Sequence, residues 1–101
     1  MKDRIVFPCL IESVEQSRNN TSQESEHLAS NAITLLNYCD QFYFENLDFS
    51  NCRINNALLN RNELENVNLS NCDLSRVEMY KNLLINSKLD NTKIDAKDLP
   101  S

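Results

Sequence analysis

The sequence predicts an all-β solenoid, a parallel quadrilateral β-helix of about three coils, with an N-terminal α-helical cap. The first observation behind this prediction is a large apolar residue at every fifth position from Phe44 to Leu99. The second is asparagine, which recurs two positions after many of these apolar residues. The third is a set of apolar residues at helical spacing in the first part of the chain. The predicted domains are therefore 1–41, the helical cap, and 42–101, the repeat.

The five-residue repeat has twelve apolar centres and never breaks phase. The centres are Phe44, Phe49, Ile54, Leu59, Leu64, Leu69, Leu74, Met79, Leu84, Leu89, Ile94 and Leu99. A period of five matches neither the helix period of about 3.6 nor the strand period of about 2. It predicts a chain that turns a corner every five residues, with the large side chain of each side pointing inward. Four such sides make one coil, so residues four pentads apart should stack, at the strand spacing of about 4.8 Å.

The corners explain the recurring asparagine residues. The chain has no glycine, and asparagine is another residue that tolerates the left-handed backbone of a tight turn. Asparagine occupies the corner phase at Asn46, Asn51, Asn56, Asn66, Asn71, Asn86 and Asn91. We therefore expect left-handed backbone at these positions.

The position two residues before each centre should also point inward, and most of its side chains are small or medium. Asn62 and Asn82 occupy this position one coil apart, which predicts an amide ladder between them. Cys52 and Cys72 are also one coil apart. We interpret these cysteines as small buried residues, because no histidine or further cysteine lies near enough in the pattern to complete a zinc site.

Two helices are predicted before the repeat. Thr21 and Glu24 have the spacing of a capping box, and the apolar residues that follow predict a helix from about Gln23 to Tyr38. A shorter helix is predicted from about Pro8 to Gln16. Because the open top of a β-helix exposes apolar side chains and unpaired strand edges, we expect the helix directly before the first coil to cover it.

The pentads Asn66–Ser70 and Asn71–Ser75 read Asn-Val-Asn-Leu-Ser and Asn-Cys-Asp-Leu-Ser. In these blocks the repeat resembles the pentapeptide-repeat family, whose consensus is Ala-(Asp/Asn)-Leu-x-x. The resemblance covers twelve pentads, more than half of the chain, and it implies a right-handed quadrilateral β-helix. The sequence departs from the consensus at the small inward position with Phe42, Leu47, Asn62, Asn82 and Lys97.

A second resemblance spans the junction between helix and repeat. The segment Leu28–Asn37, followed by Phe44–Ile54, resembles the region of NACHT-type signalling ATPases in which helices lead into pentapeptide repeats. This resemblance implies that the chain is a fragment, or a short relative, of a larger signalling protein.

Composition disfavours several function classes. The net charge of −5 disfavours a nucleic-acid surface held by basic residues. A chain without glycine lacks the loops that cradle phosphates and dinucleotides, so no cofactor is expected. No apolar run approaches the ~20 residues of a membrane span, so no membrane contact is expected. The segment Met1–Ile11 does not resemble a secretory signal, which predicts a cytoplasmic protein with reduced cysteines and no bound metal.

The predicted function is a non-catalytic structural or protein–protein interaction module whose protein partner is unknown. The candidate interaction patch consists of the outward-pointing apolar residues Leu58, Tyr80, Leu83 and Ile85. The alternative is that these are scattered surface residues without a role. Lys97 at an inward position and Pro100 indicate that the pattern fails near the end. Either the β-helix ends there, or self-association or docking through the C-terminal coil completes it.

The pentapeptide-repeat resemblance also implies an alternative function, a DNA-mimicking protein that binds topoisomerases. Residues 42–101 hold nine acidic and seven basic residues, a net charge of −2, whereas duplex DNA carries one charge per ~1.7 Å. The short, nearly neutral repeat therefore favours the interaction module. Catalysis ranks third, because carboxylates such as Glu63 and Glu65 should lie on a flat outer face without a cleft. The chain is not expected to be an enzyme.

Overall fold

The computed structural model describes residues 2–39, 43–60, 63–79 and 82–94, with side chains described from residue 7 onward. Its elements are helix α1 (Lys2–Glu15), helix α2 (Gln23–Asn37) and the strands β1 (Phe44–Glu45), β2 (Glu63–Glu65) and β3 (Leu83–Ile85). The strands form one parallel sheet in the order β1-β2-β3. Several residues given roles by the sequence lie outside the described ranges: Phe42, Asn62, Tyr80, Lys97, Leu99 and Pro100.

The prediction of an all-β solenoid, a right-handed quadrilateral β-helix, is wrong. The protein is a small α/β protein with helices of 14 and 15 residues and a three-stranded parallel sheet that does not close. The physical reason is the spacing of the corners. A left-handed residue every five positions leaves short extended stretches, so regular strands of only two or three residues form in the described ranges.

Backbone pairing nevertheless joins residues four pentads apart, as predicted: Phe44 pairs with Leu64 and Leu64 with Leu84. Isolated parallel bridges repeat this spacing at other positions. We call the sets of paired residues columns, and the segments 43–60, 63–79 and 82–94 rows one, two and three. The first column contains Phe44, Leu64 and Leu84; the second Asp48, Asn68 and Lys88; the third Arg53, Asp73 and Lys93; the fourth Leu58 and Glu78.

The corners between columns have the predicted left-handed backbone. All seven asparagine residues of the corner phase have a positive φ, between 51° at Asn86 and 69° at Asn56. Arg76 occupies the same phase with φ 58°, although arginine has no special preference for this conformation. Its side chain donates from Nε to Oδ1 of Asn56 at 2.9 Å, which ties this corner to the equivalent corner of row one.

The apolar centres of rows one and two form the core together with the inner face of α2. Phe44, Phe49, Leu64 and Leu69 are each 1% exposed, as expected for side chains packed between rows. In row three, the equivalent centres Leu84, Leu89 and Ile94 are only half-buried.

Polar side chains at the small inward position bond to the row above. Each side chain donates a hydrogen bond to a backbone carbonyl oxygen in the row above. The carbonyl belongs to the apolar centre that comes just before the equivalent inward position of that row. The pairs are Cys72–Phe49 (2.6 Å), Asn82–Leu59 (2.5 Å), Ser87–Leu64 (2.8 Å) and Thr92–Leu69 (2.8 Å). The predicted Asn62–Asn82 ladder involves a residue outside the described ranges, and the Asn82 amide group has a carbonyl partner in row one.

The helices differ from the predictions at their ends. α1 begins before Pro8, which lies inside it, and the N-cap of α2 is Ser22, whose hydroxyl accepts from the amide of Ser25 at 3.1 Å. Leu28 and Leu35, two of the apolar residues of α2, are 52% and 53% exposed. The buried face consists of Ala29, Ser30, Ala32, Ile33 and Leu36.

Candidate interaction surface

The upper edge of row one is hydrogen-bonded to helix α2 and to the turn that follows α1. In rows two and three, the amides of Asp73, Glu78 and Lys93 donate to the row above, and row one has no such row. Its amides have hydroxyl partners instead. The amide of Arg53 donates to Oγ of Ser17, and that of Leu58 donates to Oγ1 of Thr34, both at 3.0 Å.

The carbonyl groups of the same edge are also covered. Oγ of Ser30 donates to the Asn55 carbonyl at 2.5 Å. The guanidinium of Arg18 donates to the carbonyls of Ser50, at 2.9 Å, and of Asp48. Helix α2 and the turn after α1 thus supply at this edge donors and acceptors that a preceding row would supply, as the edge of a sheet requires.

Charges alternate down the third column. Glu26 of α2 pairs with Arg53 at 2.6 Å, and Asp73 and Lys93 follow in the next two rows. Burial raises the pKa of Asp73, but this effect is outweighed by hydrogen bonding from Ser75 and by the positive charges of Lys93 and Arg53. The pKa of this carboxyl group therefore lies below its ordinary value of 3.8.

Replacement Asp73→Asn is expected to reduce the amount of stability that the fold loses when the pH is lowered. Because the pKa of Asp73 is lower in the folded chain than in the unfolded chain, its carboxylate stabilises the fold above the unfolded pKa. This contribution is lost as the pH falls through the folded pKa. The urea midpoint of the wild-type chain should therefore fall more between about pH 6 and about pH 3 than that of the variant. Equal falls in the two proteins would contradict the assignment.

The lower edge, formed by row three, differs from the upper edge. In row two, the amides of Asn66, Leu69 and Leu74 donate to carbonyls of row three at 2.9, 2.9 and 2.7 Å. The equivalent amides of row three belong to Asn86, Leu89 and Ile94. Within the described ranges no row follows, and these amides make no backbone hydrogen bond there. Among the described residues, this edge therefore carries a strip of backbone donors without a backbone partner.

The lower edge also exposes apolar side chains. Leu83 is 53% exposed on β3, and Ile85, Leu84, Leu89 and Ile94 are half-buried. By contrast, Leu64, directly above Leu84, is 1% exposed. We call this surface, Leu83–Ile85 with Leu89 and Ile94, the row-three edge.

The structure brings together only part of the candidate patch. Leu83 and Ile85 lie on the row-three edge, on either side of Leu84. Leu58 lies in row one and in another column, where its amide bonds to α2 and its backbone pairs with Glu78. Tyr80 lies outside the described residues. Sequence reasoning did not identify Leu84, Leu89 and Ile94 as partly exposed, because they occupy the same phase as the buried centres of rows one and two.

Two of the described cysteine thiols, Cys52 and Cys72, are buried. Burial raises the pKa of Cys72 to about 12 and also raises that of Cys52, so both thiols stay protonated and are poor nucleophiles. No group of His, Cys, Asp or Glu suited to a metal ion occurs among these residues. Glu63 and Glu65 are exposed on β2. A groove of about 200 Å³ lies next to the row-three edge, beside Asn66, Asn86 and Lys88.

Comparisons with models of protein families, with curated proteins and with solved structures find no match. The pentapeptide-repeat and NACHT-type resemblances therefore stay predictions. Among the residues that the structure describes, no helix has the length and apolar character to cross a membrane.

Proposed function

We propose that the chain is a non-catalytic protein-binding module that pairs its row-three edge with an extended segment of a partner protein. The observation that carries this proposal is the difference between the two edges. The upper edge is hydrogen-bonded by Ser17, Arg18, Ser30 and Thr34. The lower edge has unpaired amides and half-buried apolar centres within the described ranges.

An extended segment suits both features of the row-three edge. Its backbone carbonyls would accept hydrogen bonds from the amides of Asn86, Leu89 and Ile94, the mode in which a strand adds to a sheet edge. Its inward side chains would cover Leu84 and Leu89, and each square ångström of apolar surface removed from water contributes about 25 cal/mol. The proposed compartment is the cytosol, where the buried free thiols of Cys52 and Cys72 stay reduced.

Selection of peptides from a random display library against the immobilised full-length chain tests this function. Replacement Leu83→Asp with Ile85→Lys places charges on the row-three edge, and we expect selected peptides to bind this variant at least about tenfold more weakly. The matched control is Tyr43→Asp with Glu45→Lys, the equivalent positions of row one. Tyr43 is 70% exposed, so this control should keep peptide binding and folding.

Two results would contradict the proposal. One is a selection that yields no binding peptide. The other is a set of peptides that bind the Leu83→Asp, Ile85→Lys variant as tightly as the wild-type chain, with circular dichroism showing that both proteins are folded.

A further inference from the structure

We infer that the segment bound at the row-three edge carries acidic side chains directly before its apolar contact residues. This inference names the partner chemistry of the proposed function and rests on it. Its basis is the sequence of charges down the second and third columns, together with the side-chain hydrogen bonds between rows.

Within the described ranges, the third column ends on a positive charge. From top to bottom it carries Glu26, Arg53, Asp73 and Lys93, so each described charge except the last has opposite charges on its neighbours. Lys93 is exposed, and its charge is one of those that lower the pKa of Asp73. An acidic side chain below Lys93 would continue the alternation, since opposite charges on adjacent strands attract and like charges repel.

The second column also ends on lysine. Its members are Asp48, Asn68 and Lys88, and Lys88 is exposed beside the groove of about 200 Å³. Asp90, two residues further along row three, is the acidic side chain of the described part of this row. The charged side chains in the described part of row three are therefore two lysines and one aspartate. They follow strand β3, which has no charged residue.

The pairing register between rows predicts a sequence pattern for the partner segment. Lys88 directly precedes the apolar centre Leu89, and Lys93 directly precedes Ile94. A segment continuing the same pairing would place acidic residues below the lysines and apolar residues below Leu89 and Ile94. It would also place a small hydroxyl residue three positions after its first apolar residue, because Thr92 and Ser87 bond in this way to Leu69 and Leu64. The resulting pattern is acidic–apolar–x–x–(Ser/Thr)–acidic–apolar.

The same charges argue against a second copy of this chain as the occupant. A two-fold axis that places the second or the third column against its own counterpart would bring Lys88 against Lys88, or Lys93 against Lys93. Like charges directly opposite each other destabilise strand pairing. The occupant favoured by charge complementarity is therefore an acidic segment of a different protein.

Two synthetic peptides of equal length test the inference by fluorescence anisotropy with the full-length chain. Both contain the pattern above with leucine and threonine, and they differ only in aspartate or lysine at the charged positions. We expect the aspartate peptide to bind at least about tenfold more tightly at low salt, and the preference to shrink at about 0.5 M NaCl because salt screens exposed charges. Replacement Lys93→Glu should remove or reverse the preference. The control Arg76→Glu makes the same charge reversal one row higher, and it should keep the preference.

The outcomes separate this inference from the proposed function. Equal binding of the two peptides, or tighter binding of the lysine peptide, overturns the acidic partner while an edge-binding module stands. The acidic partner is also overturned if neither synthetic peptide binds, while library peptides bind the wild-type chain and fail to bind the Leu83→Asp, Ile85→Lys variant. Sedimentation tests whether the occupant is a second copy of this chain. A second copy is the occupant if the wild-type chain forms a dimer that persists in the Lys93→Glu variant and dissociates in the Leu83→Asp, Ile85→Lys variant.

Discussion

Replacement Leu64→Ala is expected to lower the free energy of unfolding by about 2–5 kcal/mol. Leu64 is 1% exposed and lies in the middle row, with Phe44 paired above it and Leu84 below. Neighbours on both sides hold their positions through backbone pairing, so the cavity left by the lost side chain cannot collapse fully. Urea denaturation followed by circular dichroism measures the loss.

The matched control for this prediction is Leu84→Ala, in the same column one row lower. Leu84 is half-buried, and removal of a partly solvated side chain leaves less cavity surface, so its loss should stay below about 2 kcal/mol. Equal losses at the two positions would show that the row-three edge is covered as fully as row two.

Replacement Ser17→Ala is expected to cost about 1–3 kcal/mol, because it leaves a backbone donor without its partner. Ser17 is 0% exposed, and its Oγ both accepts from the amide of Arg53 at 3.0 Å and donates to the carbonyl of Val14 at 2.6 Å. The side chain therefore joins the C-terminal end of α1 to row one. Native-state hydrogen exchange should show weaker protection of the Arg53 amide in the variant.

The control for this second prediction is Ser13→Ala. Ser13 donates to the carbonyl of Cys9 at 3.1 Å within α1, and loss of such an exposed bond should change stability by no more than about 0.5 kcal/mol. Unchanged protection of the Arg53 amide in the Ser17→Ala variant would show that the helix is not needed to satisfy this edge.

The sequence identified the local geometry of the rows better than the fold class. The pairing of Phe44 with Leu64 and the left-handed asparagine corners followed from the five-residue period, because a corner is decided by one residue and its neighbours. Whether a paired stretch extends into a regular strand depends on how many consecutive residues keep their partners. In the described ranges, only the first column keeps two or three in succession, and the all-β prediction failed for this reason.

The joint between the helices and row one was the least predictable part. Ser17, Ser30 and Thr34 are ordinary polar residues by sequence, and their hydrogen bonds to row one join residues far apart in the chain. Such contacts have no signature in local spacing. At the candidate surface, Leu83 and Ile85 lie on one strand, β3, and their role in binding stays a prediction. Leu58 lies in row one, where its amide donates to Thr34 of α2, and its part in a binding patch stays a prediction.

The register that pairs Phe44 with Leu64 and Leu64 with Leu84 has a consequence for how such a gene can change. A tandem duplication of four pentads placed after a complete row would lengthen the protein while every column kept its side chains in phase. Ser17 and Thr34 would keep their bonds to Arg53 and Leu58, since new residues would enter below row one. An insertion that is not a whole number of pentads would turn apolar centres outward. Growth in whole rows is therefore the least disruptive evolutionary path for this architecture. Each added row would leave the same kind of edge below it.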